Sequence, residues 1–176
     1  MLAQARAADP DHERDYVEGV AQDLPLSDGS ADVMVFSYSL HHVPTVDMVQ
    51  ALREAHRVLR PGGTLYVVEP VAAGPGHEIV KVVDDESAVR AAAQQALRHA
   101  PELGFDLLTD SAYVSRTVVP SADALADRVV GVDPSRRERM DRCRAEFNAR
   151  FAALAERVDD GYAFEQENLV KVYRRR

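Results

Sequence analysis

The 176-residue sequence holds one cysteine, Cys143. That excludes an internal disulfide and reads as a protein of the reducing cytoplasm. No apolar run approaches the roughly 18 residues of a membrane-spanning helix, so a membrane partner is not expected. Positive charge is scarce: 21 Lys and Arg stand against 29 Asp and Glu, for a net charge of −8. Neutralising phosphates needs clustered Lys and Arg, so a nucleic-acid groove is excluded as the main partner site. The one basic cluster, Lys171, Arg174, Arg175 and Arg176, reads as a solvated tail. The opening residues LAQARAADPDHERD are alanine-rich and soon acidic, unlike a secretory signal. There is no internal repeat and no low-complexity tract.

What is present suits one domain, residues 1–176, with a sizeable core. The hydrophobic fraction of 46% and charged fraction of 28% are ordinary for a globular protein. Leu2–Ala8 reads as a helix end stopped by Asp9-Pro10, because the residue before proline disfavours helix. Tyr16–Ala21 reads as a short strand. Pro25 and the Ser27–Ser30 cluster form a loop. Asp32–Ser39 is an apolar run of the kind expected in a parallel strand covered on both faces. Thr45 is placed to cap a helix reaching Arg60, in which Met48, Leu52, Ala55 and Leu59 share a face. Pro61-Gly62-Gly63 ends that helix, and Thr64–Glu69 is the next strand. Strand, helix and strand make a right-handed crossover unit.

Further on, Ala72–Gly76 reads as a flexible segment and Asp84–Ala100 as a helix with an acidic start. Tyr113–Val119 is a strand, and Ser121 caps a short helix. Met140, Cys143, Phe147, Phe151, Leu154 and Val158 line one face of a long helix over Pro134–Val158, with Cys143 as apolar filler. Tyr162–Tyr173 is a long closing strand.

The stretch from Val17 to Pro70, VEGVAQDLPLSDGSADVMVFSYSLHHVPTVDMVQALREAHRVLRPGGTLYVVEP, resembles the middle of a class I S-adenosylmethionine-dependent methyltransferase of the type 11 family. MLAQAR resembles the helix after the family's ribose-binding acid. VEGVAQDLPL, SADVMVFSYSLHHV and ALREAHRVLRPGGTLYVVEP resemble the elements that follow. Residues 71–176 share only the family's element order, with residues 71–100 as a lid-like insertion. The resemblance implies an α/β, Rossmann-like fold with a mostly parallel sheet and an antiparallel last strand. It also implies S-adenosylmethionine as cofactor and a small-molecule methyl acceptor as partner.

Two departures accompany it. The glycine-rich cofactor loop and the first two strands of the family pattern are absent, so the fold reads as N-terminally truncated. Val20 stands where the family usually has an aspartate bonded to the adenine amine. The family's sheet order would leave about 14 Å, three inter-strand spacings, between Tyr16–Ala21 and Asp32–Ser39. Either the first strand shifts across, or another chain fills the gap, or Met1 is an internal methionine of a longer protein; the last is the expectation here.

Ligands of open parallel sheets bind beyond the carboxyl ends of the strands. By analogy with the family, Val20, Ala21, Gln22, Ser37 and His41 fall on the cofactor side, and His42 and Glu69 on the substrate side. Ala21 and Gln22 would present backbone groups to adenine, and Ser37 its carbonyl to the methionine amine. The plainer alternative is that these residues simply end strands. Two adjacent histidines with no placed third ligand do not make the usual metal set, so no metal is expected. His77, Glu78, Asp84, Asp85 and Glu86 read either as an acidic lid or as a solvated helix start. Arg116 is expected to pair with Glu165 or Glu167.

Two functions of different class follow. One is a methyltransferase acting on a small molecule, completed by a longer chain or a partner. The other is a non-catalytic methyltransferase-like domain that associates as a homo-oligomer through its open sheet edge, without cofactor.

Overall fold

The computed structural model describes residues 6, 7, 9 and 14–176. Five strands form one sheet: β1 (Ala31–Ser37), β2 (Leu59–Pro70), β3 (Phe105–Val119), β4 (Glu156–Val158) and β5 (Gly161–Arg175). Among the described residues the full helices are α1 (Met48–Val58), α2 (Gly74–Val80), α3 (Ser87–Leu97), α4 (Ala122–Val132) and α5 (Arg137–Leu154). The sheet order is β1-β2-β5-β3, with β4 paired to β5. β1 and β2 are parallel, while β5 is antiparallel to β2, β3 and β4. Four strands therefore share a direction and the last opposes them, the expected mostly parallel α/β sheet with an antiparallel final strand.

Two apolar clusters make the core. The first joins the inner face of β1 and β2 (Phe36, Leu65, Val67) to α1 and α3 through Leu52, Ala55, Ala93 and Leu97. The second lies between α2, α4 and α5 and includes Ile79, Leu125, Phe147, Phe151 and Phe164. Phe105 and Phe147 are fully buried, each contributing about 1.5–3 kcal/mol from removal of apolar surface. Among the described residues no helix is long and apolar enough to cross a membrane.

Several local expectations are corrected. Tyr16–Ala21 joins no sheet and forms no strand; its one ladder contact is the bridge Val20–Asp23, closing a turn. The chain beyond it is tied to α1 instead: Leu24 N–H donates to Glu54, and Arg57 donates to the carbonyls of Leu24 and Leu26. Neither a shifted first strand nor any other described segment pairs with the outer edge of β1. Val33 and Val35, side chains of one face, are exposed, so β1 is covered on one face rather than two. Thr45 opens a 3-10 turn, and α1 starts at Met48 without a side-chain cap.

Arg60–Gly63 bulges out of β2, so that Ala31 pairs with Leu59 and Val33 with Thr64. Gly62 has φ +78°, and a Cβ on Gly63 would lie 2.9 Å from the Arg60 carbonyl oxygen, so the turn demands both glycines. Gly74–Val80 is helical rather than flexible, because Gly76 sits against Phe164 and the Glu165 carbonyl. α3 begins at Ser87, since Asp84 and Glu86 are taken up by arginines. α5 stops at Leu154, and Val158 enters β4. Arg116 stands opposite Glu165 in the β3–β5 ladder, but its ion pair is with Glu156 on β4, across β5, and not with Glu165 or Glu167. The expected helix Leu2–Ala8 lies mostly outside the described residues, with Arg6 and Ala7 helical.

The segment 71–100 divides in two. Ala93, Ala96, Leu97 and Ala100 belong to the first core cluster, whereas Ile79 and Val83 belong to the second.

Candidate functional site

The carboxyl end of β1 turns at Tyr38, whose φ of +52° is a left-handed conformation. Its backbone N–H still donates to the Val68 carbonyl, so the kink occurs at the last sheet bond. Leu40–His42 then form a 3-10 turn. Glu69, near the end of β2 and 1% exposed, fixes that turn. Its Oε1 accepts from Ser39 N–H at 3.1 Å and Leu40 N–H at 2.8 Å. Its Oε2 pairs with His41 Nδ1. A buried carboxylate is costly unless fully bonded, and here both oxygens are engaged. Glu69 does by side chain what a missing N-cap would do.

Beyond the strand ends lies a cavity of about 460 Å³. Tyr38, Ser115, Gln166 and Asn168 line its sheet side, Leu125, Val129 and Val132 its α4 side, and Arg90, Arg128 and Arg136 its rim. Asn168 is fully buried. Its Nδ2 donates to Ser115 Oγ and to the Gln166 carbonyl, both at 3.0 Å. Its Oδ1 has no partner, and a buried acceptor without a donor costs about 1–3 kcal/mol. The Tyr38 and Tyr113 hydroxyls bond to each other at 2.6 Å. Partial burial and that bond push the Tyr38 pKa up to about 12, so Tyr38 is protonated at neutral pH.

An ionic network closes the rim. Glu86 accepts from Arg90 at 2.7 Å and faces Arg136 at 3.4 Å, and Arg136 also holds Asp84 at 2.7 Å. Burial works to raise the Glu86 carboxyl, but the Arg90 bond and the charges of Arg90, His41 and Arg136 overcome it and hold its pKa low. Burial, reinforced by Arg90, pushes the His77 pKa down. Burial and the neighbouring His41 do the same to His42.

On the other side of β1 a groove of about 440 Å³ runs along the exposed strand. Val17, Val20, Ala21, Pro25, Leu26 and Met34 give it apolar walls; Asp15 and Ser39 are its polar members. Tyr38 and Ser39 are adjacent in sequence, yet they line different hollows. The kink at Tyr38 is what divides the two.

Of the residues singled out from sequence, Val20 and Ala21 line the groove and Gln22 does not. Ser37 pairs with Val68 in the ladder and lines neither hollow. His41 is buried on Glu69, and His42 stands exposed beside it with ring centroids 4.1 Å apart. Glu69 faces inward to the turn. Tyr38 falls within the Ser37–His42 stretch expected at the functional rim, whereas Asn168 and Arg90 escaped the sequence reading, because their roles rest on pairings between distant segments. Tyr38 carried a local signal, as the polar residue ending an apolar strand.

Comparisons with known proteins follow the same lines. The methyltransferase domain family matches residues 1–67. The uncharacterized Escherichia coli protein YafE is 33% identical over 129 residues, covering 64% of this chain and 59% of that protein. A demethylmenaquinone methyltransferase of Chlorobaculum tepidum is 38% identical over 71 residues, covering 40% of this chain and 28% of that enzyme. The chain thus spans less than two thirds of the curated relatives it matches. Among solved structures, an S-adenosylmethionine-dependent methyltransferase from Mesorhizobium loti superposes with a TM-score of 0.51 at 20% identity, covering 99% of this chain and 76% of that one. A Bacillus halodurans protein gives 0.64 at 23% identity, covering 98% and 78%. These two likenesses speak for the fold.

Proposed function

We propose that this chain, similar to the methyltransferase domain family over residues 1–67, is an S-adenosylmethionine-dependent methyltransferase of a small-molecule acceptor, working as the acceptor-side portion of a longer or partner-completed enzyme. The observation that carries the reading is the division at Tyr38-Ser39, which sets two hollows back to back at the carboxyl ends of the strands, where open α/β sheets take their ligands.

The groove fits the adenine end of the cofactor. Its flat apolar walls, with Val20 and Ala21 among them, suit an aromatic base, and Asp15 offers a carboxylate to an amine or hydroxyl. Among the described residues no glycine-rich loop lines it, and the outer edge of β1 is unpaired. That supports completion of the cofactor site by residues outside those described. When bound, the cofactor supplies an activated methyl group on sulfur.

This chain's own residues do the rest. Methyl transfer depends mainly on holding the acceptor in line. Leu125, Val129 and Phe164 offer an apolar bed and exclude water. Asn168 Oδ1, buried without a donor, accepts from a hydroxyl or amine of the acceptor and fixes its orientation. The Tyr38 hydroxyl, which lines the cavity, donates to an acceptor oxygen. The acceptor class is therefore a compact apolar molecule with one hydrogen-bond-donating end.

A second reading, a domain that associates without cofactor, is favoured by the exposure of Val33 and Val35 at the open edge of β1. Calorimetric titration of S-adenosylhomocysteine into the folded chain separates the two. Micromolar binding that is lost on Val20→Trp, an exposed position in the groove, supports the enzyme. No heat at millimolar ligand, with concentration-dependent self-association, overturns it in favour of the second reading.

A further inference from the structure

His41, His42 and Glu86 each bring a ligand atom within 4.8 Å of the other two, and among the described residues no other set of three His, Cys, Asp or Glu side chains does so. They come from two separate segments, the turn after β1 and the residue preceding α3. The ion pairs of Glu86 with Arg90 and Arg136 account for its place at the rim. They do not account for two imidazoles converging on it.

The setting of His41 supplies a second, independent observation. Its Nδ1 is taken by the buried Glu69 carboxylate, while no hydrogen bond engages its Nε2 among the described residues. Metal-ligating histidines carry this same arrangement: one ring nitrogen bonded to a carboxylate, which fixes the tautomer, and the other free for the ion. Glu69 is in turn immobilised by Ser39 and Leu40 N–H groups, so the ring is aimed by two layers of bonding.

We propose that His41, His42 and Glu86 bind a divalent transition-metal ion of the zinc class, with Glu69 as the positioning residue for His41. Two imidazoles and one carboxylate suit zinc or cobalt, not magnesium or calcium, which take oxygen ligands. Tetrahedral zinc with bonds near 2.0–2.1 Å needs donors about 3.3 Å apart, so the side chains must draw together by rotation. The exposed His42 side chain has that freedom, and Glu86 gains it by loosening its ion pairs with Arg90 and Arg136. The Arg90 and Arg136 guanidiniums on Glu86 weaken its hold on a cation, which sets the expected affinity at micromolar rather than nanomolar. Three protein ligands leave a coordination position open, the pattern of exchangeable rather than closed sites. The ion would stand beside the 460 Å³ cavity, because the same two arginines line it. The proposal is independent of methyl transfer and stands or falls on metal binding alone.

The test uses the whole chain, freed of metal by a chelator. Zn2+ is titrated by calorimetry, and Co2+ is followed by its visible ligand-field absorption. One equivalent of micromolar binding is expected, with no response to Mg2+. His42→Ala, at an exposed position, and Glu86→Ala should each weaken it at least about tenfold, and Glu69→Gln should weaken it about 10- to 100-fold through loss of the orienting carboxylate. His99→Ala, an exposed histidine paired with Glu102 elsewhere, should bind as the parent does. The proposal is overturned by no saturable binding up to millimolar Zn2+. It is equally overturned by parental affinity in the folded His42→Ala variant.

Discussion

Glu69→Gln changes one oxygen for an NH2 group at a site where both oxygens are occupied, and its cost follows from the partners. Ser39 and Leu40 N–H currently bond a carboxylate. Bonds to a charged acceptor contribute about 1.5–3 kcal/mol against about 0.5–1.5 for neutral ones, so each N–H loses roughly 1 kcal/mol. His41 Nδ1 would then meet an amide donor; it keeps a bond only by moving its own proton to Nε2 and accepting. If that switch occurs, the total is about 2 kcal/mol. Without it a buried donor is orphaned, and a further 1–3 kcal/mol, roughly, is added. For a domain of this size 1 kcal/mol shifts the melting midpoint by about 2–4 °C, which gives a fall of at least about 4–8 °C. Thermal unfolding followed by circular dichroism, at equal concentration for parent and variant, measures it directly. A midpoint within about 1 °C of the parent would mean that Glu69 does not hold the turn, and the argument for His41's orientation would go with it.

Phe147→Ala empties a fully buried position in the second cluster and should destabilise by about 3–5 kcal/mol in urea titration; a loss under about 1 kcal/mol would deny that cluster its role as core. Gly161 has φ +132°, and a Cβ there would lie 2.4 Å from the Val119 carbonyl oxygen. Gly161→Ala should therefore cost at least about 1–3 kcal/mol, read as a lower melting midpoint, and an unchanged midpoint would contradict the described β4–β5 turn. The Arg57 bond holds the Glu54 carboxyl below the usual carboxylate range, against some burial. Its folded pKa is thus depressed relative to an unfolded value near about 4.3, so its contribution is present above that pH and is lost as pH falls through the folded value. Glu54→Gln should flatten the fall of stability on acidification below about pH 5, and identical pH slopes for parent and variant would refute the linkage.

Much of the architecture was legible from local signals. The apolar run at Asp32–Ser39, the Pro61-Gly62-Gly63 turn and the Met140–Phe151 stripe each announce an element by period or by backbone demand. Errors fell where a segment's state depends on distant neighbours. Tyr16–Ala21 has strand composition but finds no strand to pair with, so it forms none. Gly74–Val80 has the composition of a loop, yet packing against β5 makes it helical. The same holds for the site. The histidine pair was visible in sequence, whereas Glu86 stands more than forty residues away and only the fold brings it there. The unsatisfied oxygen of Asn168 could not be foreseen, because it depends on which partners Ser115 and Gln166 leave over.

The place of β5 between β2 and β3 has a consequence for synthesis. β5 follows all three strands it pairs with in sequence, so the strand that joins the two halves of the sheet is the last of the five to be made. At about 5–20 residues per second on the ribosome, β2 waits several seconds with one side unpaired, and β3 with both. During that interval β1 and β2 form a two-stranded ribbon, which has marginal stability alone. Ribosome-bound intermediates stalled before Gly161 should accordingly be protease-sensitive and prone to chaperone capture, and protection should arrive in one step once Gly161–Arg175 clears the exit tunnel.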